Sequence, residues 1–197
     1  MQGDTREKLL DMAEKRFAER GFYGVSIAAI AEELGLTKQA LLHHFGTKEK
    51  LYGAVLARIS EDYRAQQVKM AGQSDDPTTR LKAFFLHLYR DALAANARTR
   101  LLMRELLDNN ERAKAAGSWY LTDFLTTLTQ MVQANPAKSH LSDAEALALA
   151  YQFLGAINYF VISRPTLTGI FGPAAYNDMC AAFPARLEAL MDAGLGA

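Results

Sequence analysis

The chain has 197 residues, half of them hydrophobic, with 22 Lys/Arg balanced by 22 Asp/Glu and one cysteine. That length accommodates one large or two small domains with a substantial core. Zero net charge argues against a polycationic nucleic-acid coat, and a single cysteine excludes an intrachain disulfide or a cysteine-based metal site. Cys180 reads as a packed thiol in a cytoplasmic protein. Asp4, Arg6, Glu7 and Lys8 interrupt any early apolar run, so no secretion signal is expected.

Asp4 and Thr5 are placed to cap a first helix running to about Arg20, with Leu9, Leu10, Ala13 and Phe17 inward and Gly21 as its stop. Ile27, Ile30, Ala31 and Leu34 then recur at helical spacing and give a second, short helix one apolar face. Gly35 supplies a left-handed residue, Leu36 an apolar plug, and Thr37 the N-cap of a third helix. Leu41 and Phe45 anchor that helix, whereas Lys38, Gln39, Ala40, Leu42, His43 and His44 cannot all be buried. Gly46 and Thr47 stop it after about two turns, and Leu51, Tyr52 and Val55 restart a fourth helix over 47–70. A helix this short is marginal alone and must be held by neighbours. The spacing describes a helix-turn-helix rather than an ordinary hairpin of a bundle.

The segment 71–77 is a loop, with Asp76 as cap and Pro77 in the next first turn. Further helices are predicted near 77–95, 97–109, 113–134, 143–162 and 173–193, with breaks at Asn96, Asn109-Asn110, Asn135-Pro136 and the stretch 163–173. Pro184 is expected to kink the last helix or shift its start. The chain is thus all-α, with about nine helices and no useful β alternation. Ala146 to Ile162 is a run of 17 residues without a charge, near the roughly 20 needed to span a bilayer. Ser142-Asp-Ala-Glu145 precedes it as a capping box, a device of soluble helix starts. It is therefore expected to lie between a core and a partner subunit, and no membrane is expected as a partner.

Residues 1–58 hold nine Lys/Arg against eight Asp/Glu, but within 36–58 Lys38, Lys48, Lys50 and Arg58 face only Glu49. Each residue of the third helix has a distinct chemistry toward double-stranded DNA. Thr37 caps the helix or donates to a phosphate. Gln39 suits an adenine edge, and Lys38 a guanine or a phosphate. Ala40 and Leu42 suit thymine methyls, while His43, His44 and Lys48 suit phosphates. Ser26, ahead of the second helix, is grouped with them. A surface this small covers few base pairs, which favours two copies on a palindrome. Tyr151, Leu154, Ile157, Val161, Phe183, Leu187 and Leu190 supply more apolar surface than one small core requires, and so mark a dimer interface.

The run Thr-Lys-Gln-Ala-Leu-Leu-His-His-Phe-Gly-Thr-Lys-Glu-Lys-Leu from Thr37 to Leu51 resembles the recognition-helix signature of TetR-type transcriptional regulators. The run from Phe17 to Ala31 resembles the first-helix exit and second-helix entry of the same family. The likeness is specific over roughly residues 5–58. It implies a three-helix DNA-binding domain over 1–58, with its motif at about 26–45, and a helical effector-binding and dimerisation domain over 59–197. It further implies a repressor that binds a palindromic operator as a homodimer and is released by a small, mostly apolar effector. In this family the last two helices usually form a four-helix interface. The family usually has an aromatic, commonly Tyr, where this chain has Leu42, so a tyrosine phosphate contact is lost. Under the same resemblance Phe84, His87, Leu88, Met103, Leu107, Trp119, Phe124, Asn158 and Tyr159 line an effector cavity; the plain alternative is a hydrophobic core.

The other functions open to such a chain are an activator, a ligand-independent DNA binder, or a helical ligand carrier or enzyme. No Gly-rich phosphate loop, His-Glu-x-x-His or Glu-x-x-His pattern occurs. His43 and His44 are adjacent and diverge by about 100° on a helix, which suits no chelate. No enzyme activity, cofactor or metal is expected.

Overall fold

The computed structural model describes residues 2–72, 74–108 and 120–196, which contain helices, turns and loops and no strand. The helices are α1 (Gln2–Arg20), α2 (Ile27–Glu33), α3 (Lys38–Phe45), α4 (Lys48–Ala71), α5 (Pro77–Ala94), α6 (Asn96–Asp108), α7 (Thr122–Gln133), α8 (Asp143–Ile162) and α9 (Arg164–Leu195). They divide into two compact units, residues 1–61 with 97–121, and residues 62–96 with 122–197.

In the first unit the inner face of α1 is buried as its spacing predicts, with Leu9, Leu10, Ala13 and Phe17 all at 2 % exposure or less. α1 starts at Gln2, so Asp4 and Thr5 lie inside its first turn rather than capping it. α2 packs on α1 and on α3. The first half of α4 adds Leu51, Tyr52, Val55, Leu56 and Ile59 to the same core. The unit runs past the expected boundary at 58 and takes in most of α6, whose Leu101 is fully buried. No local sequence pattern signals this, because α6 joins the head by packing across a long chain separation.

The turn between α2 and α3 is a Schellman motif. Gly35 sits at φ 66°, the Leu36 N–H donates to the Ala31 carbonyl at 2.9 Å, and the Gly35 N–H to the Glu32 carbonyl at 2.9 Å.

In the second unit α5 buries Leu81, Phe84, Phe85 and Leu88 along one stripe. Its start is held by Asp76, which accepts from the Thr79 N–H at 2.8 Å. The capping box of α8 is formed, with the Ser142 N–H donating to Glu145 Oε2 at 2.9 Å. α8 turns Ala146, Ala150, Phe153, Ile157 and Val161 into the core with Phe85, Phe124, Leu128, Leu187 and Met191. By length and composition α8 alone, among the described residues, is apolar enough to cross a membrane, and one face of it is spent on this core.

Two further helix boundaries differ from expectation. The stretch 163–173, expected as a loop, is mostly helical: α9 begins at Arg164 with Pro165 in its first turn, where a missing N–H costs nothing. Gly172, at φ 83° and ψ 162°, interrupts it, and the helix restarts with Pro173. Its dihedrals remain helical through Pro184. α7 starts at Thr122 after a turn at 120–121, and the expected start at 113 lies outside the described residues.

Because a Cβ at Gly35 would meet no atom within 4 Å, Gly35→Ala tests the backbone alone. It is expected to lower the unfolding free energy in urea by about 1–2 kcal/mol, with the helical circular dichroism unchanged.

Candidate nucleic-acid interface

α3 is eight residues long and is closed at both ends by its own sequence. Thr37 Oγ1 accepts from the Ala40 N–H at 3.1 Å, and the Gly46 N–H donates to the Leu42 carbonyl at 2.7 Å. Leu41 and Phe45 form its buried face, at 0 % and 7 % exposure. The outward face carries Lys38, Gln39 and His43, all exposed, with Ala40, Leu42 and His44 half-buried along its edges. The rings of His43 and His44 stand perpendicular at 5.9 Å. Ser26 caps α2 by accepting from the Ala28 N–H at 3.2 Å. Its hydroxyl proton and that of Thr37 therefore stay available for an outside acceptor.

Lys48, in the first turn of α4, rests its ammonium 4.6 Å from the centre of the Phe22 ring. Burial lowers its pKa. A lysine so held presents its charge from one place instead of sweeping the surface. Arg58 behaves differently from the expectation that it adds to this patch. Its guanidinium pairs with Asp11 at 2.7 Å and Glu14 at 2.7 Å, and lies 3.5 Å from Glu7. Those acids sit on α1, 44 or more residues away in the chain, so charge counting along the sequence missed them. The cations of this segment that face outward are therefore Lys38, Lys48 and Lys50. Tyr23, passed over in the sequence, is 73 % exposed beside the start of α2 and packs edge-on against Phe22. An exposed aromatic in a turn leaves no periodicity to detect.

The residues expected to line an effector site fall in both units. Phe84, Leu88 and Phe124 are buried in the second unit's core, with the Phe84 and Phe124 rings 6.3 Å apart. His87 is half-buried, its Nε2 3.2 Å from Asp91 Oδ2. Asn158 is half-buried and Tyr159 is 74 % exposed. Met103 and Leu107 belong to the first unit, with Leu107 76 % exposed. Trp119 lies outside the described residues. A polar residue absent from that set, Gln67 of α4, is 3 % exposed. Its Nε2 donates to the Phe124 carbonyl at 3.4 Å, while its Oε1 is buried without a protein partner. A groove of about 450 Å³ also opens between α7 and α8, lined by Leu125, Thr129, Gln133 and Asp143 among others. Of the expected interface residues, Ile157, Val161 and Leu187 are buried within the second unit. Leu154 and Phe183 are half-buried, and Tyr151 and Leu190 face solvent.

A short capped helix, held from behind and bearing exposed donors and cations, is the reading element of helix-turn-helix proteins. Residues 9–55 match the family described as bacterial regulatory proteins, tetR family. The HTH-type transcriptional repressor AcnR of Corynebacterium efficiens is 36 % identical over 81 residues, covering 38 % of this chain and 43 % of that protein. The HTH-type transcriptional repressor NicS of Pseudomonas putida is 25 % identical over 167 residues, covering 83 % of this chain and 79 % of that one. The first curated relatives are matched over about half their length, 43–52 %. In fold, the regulator FadR from Bacillus subtilis, solved with stearoyl-CoA, superposes with TM-score 0.73 at 14 % identity, over 94 % of this chain and 97 % of that one. Residues 9–55 thus form the DNA-binding segment of the tetR family, and the relatives the chain resembles are transcriptional regulators.

The Arg58 network generates a sharp expectation. Arg58→Ala leaves Asp11 without its cation and Glu14 paired with Arg98 alone, and thermal unfolding should move down by a few degrees. The salt dependence of any DNA binding should keep its wild-type slope, since this charge is already neutralised.

Proposed function

We propose that the chain is a cytoplasmic DNA-binding repressor that reads a palindromic operator as a homodimer and is released by a small, mostly apolar effector. The observation that carries the DNA assignment is the outward face of α3, where Lys38, Gln39 and His43 stand in solvent over a buried Leu41 and Phe45. Lys38 and Gln39 lie in the first turn, from which side chains reach base edges in a major groove about 12 Å wide. Ala40 and Leu42 offer apolar contact to thymine methyls. Ser26, Thr37, His43, His44 and Lys48 hold the flanking phosphates. Net charge does not drive this binding, since the whole chain is neutral; placement of a few cations does.

The dimer assignment is supported by apolar side chains on α8 and α9 that their own unit leaves uncovered. Tyr151, Tyr159, Ile170, Phe171 and Leu190 are 40–74 % exposed. A second copy covers them, while Ile157, Val161 and Leu187 back the surface from within. Leu190→Asp is expected to shift the species seen by light scattering from dimer toward monomer.

The effector assignment is supported by the aromatic lining of the second unit and by the unpartnered Gln67 Oε1 inside it. An effector entering there brings a hydrogen-bond donor to that oxygen and an apolar body to Phe84 and Phe124. The stearoyl-CoA held by the related fold, with its long acyl chain, supports a ligand with a large apolar part.

Selection of duplexes from a random pool, followed by binding at several salt concentrations, tests the proposal. A symmetric, salt-sensitive consensus is expected, and Lys48→Ala should weaken binding about equally on all sequences while reducing the salt slope by about 1.8, about 0.9 for each copy of the dimer. An asymmetric or salt-insensitive product would overturn it.

A further inference from the structure

We propose that Glu105, on α6 and outside the helix-turn-helix, is a positioning residue for Lys48; this rests on the chain binding DNA as proposed above. Glu105 is only 3 % exposed. The Tyr52 hydroxyl donates to its Oε2 at 2.8 Å across 53 residues of chain. Tyr52 is itself 3 % exposed, and its ring stands edge-on to Phe17 at 4.8 Å and to Phe22 at 5.0 Å. Phe22 carries the Lys48 ammonium on its face at 4.6 Å. Carboxyl, phenol, ring and ammonium thus form one contiguous series within the first unit, from α6 to the lysine at the start of α4.

The carboxyl of Glu105 does what an apolar side chain at that place cannot. It fixes the direction of the Tyr52 O–H, and with it the tilt of the ring that backs Phe22. α6 is a firm support for that bond because it is tied twice to α1. Arg98 Nε donates to Glu14 Oε1 at 2.9 Å, and Arg104 Nη2 donates to the Glu19 carbonyl at 3.3 Å. A buried carboxyl is a costly way to fill space compared with a hydrophobic residue. Its contribution here is therefore geometric: it sets where a half-buried lysine presents its charge. The part of α6 from residue 97 to 108 then belongs to the DNA-reading unit by function as well as by packing.

The test uses the full-length protein and a duplex that the wild-type chain selects from a random pool. Glu105→Gln keeps an acceptor oxygen and should bind within about threefold of wild type, with an unchanged salt slope. Glu105→Leu removes the acceptor and should weaken binding about tenfold, with a slope shallower by about 1.8, the share of one phosphate in each copy of the dimer. A folded fraction that is constant with salt leaves the slope unchanged, so circular dichroism at each salt concentration separates partial unfolding from this result. Adding Lys48→Ala to Glu105→Leu should cost nothing further, because the lysine's contribution is already gone. The pair Tyr52→Phe with Glu105→Leu removes both polar groups, which restores thermal stability but leaves binding weak. Wild-type affinity and slope in Glu105→Leu, or losses that simply add to those of Lys48→Ala, would overturn the positioning role. Failure of the wild-type chain to select any duplex would instead overturn the DNA-binding function, and this role with it.

Discussion

The burial of Leu41 and Phe45 is the interaction on which everything else in the first unit depends. α3 is two turns long, and a helix of that length is unstable alone in water. Placing those two side chains at 0 % and 7 % exposure contributes about 1.5–3 kcal/mol each, which is what converts a fragment into a fixed element. Its ends need no outside help, since Thr37 closes one and the Gly46 N–H the other. With anchoring confined to one stripe and the caps supplied locally, Lys38, Gln39 and His43 have no structural task. That separation of duties leaves their side chains available for recognition.

The same separation explains what was legible in the sequence. The α2–turn–α3 corner is written in local terms: apolar residues at helical spacing, a glycine, a hydroxyl cap and a second glycine. Each acts over four residues or fewer, so each could be read directly. The fate of Arg58 depended on acids carried by a different helix, and counting neighbours in the chain gave it the wrong task. The membership of α6 in the head is equally non-local. The stretch 163–173 misled for another reason. Two prolines and two glycines suggest a loop, yet Pro165 falls in a first turn and Gly172 takes the only non-helical conformation in α9. Proline counts mattered less than proline positions.

Apolar residues gave the weakest guidance, because their spacing states that a surface is covered but not by what. Ile157, Val161 and Leu187 answer to the chain's own core, and Tyr151 and Leu190 do not. Five of the large exposed hydrophobics, Tyr151, Tyr159, Ile170, Phe171 and Leu190, lie on α8 and α9. The aromatic residues of α5 and α7 posed the same ambiguity. There the polar groups discriminate better. Of the buried polar side chains in the second unit, Thr129 donates to the Leu125 carbonyl and Asn135 is engaged by Thr78 and the Ala137 N–H. Gln67 is satisfied only on its nitrogen. An unmatched acceptor beside the aromatic interior is a feature with direction, and direction is what a ligand of one chemistry can use.

Release of DNA by such a ligand requires that its binding free energy differ between two states of the protein, and the affinity of the ligand for a rigid core is by itself irrelevant. The chain offers three covalent routes for that difference to travel, since it passes between the units at residues 61/62, 96/97 and 121/122. The first lies inside the unbroken helix α4, which holds Lys48 and Tyr52 near one end and Gln67 near the other. A displacement along a continuous helix cannot be absorbed by a loop, so a change around Gln67 must either bend α4 or move its first turn. The second route leads within ten residues to Glu105, whose bond to Tyr52 meets α4 again near that same turn. Two of the three routes therefore converge on one phenol. Under the proposed function, a state change transmitted by both would be felt where Lys48 is seated, and a reader with few cations would be sensitive to the position of each.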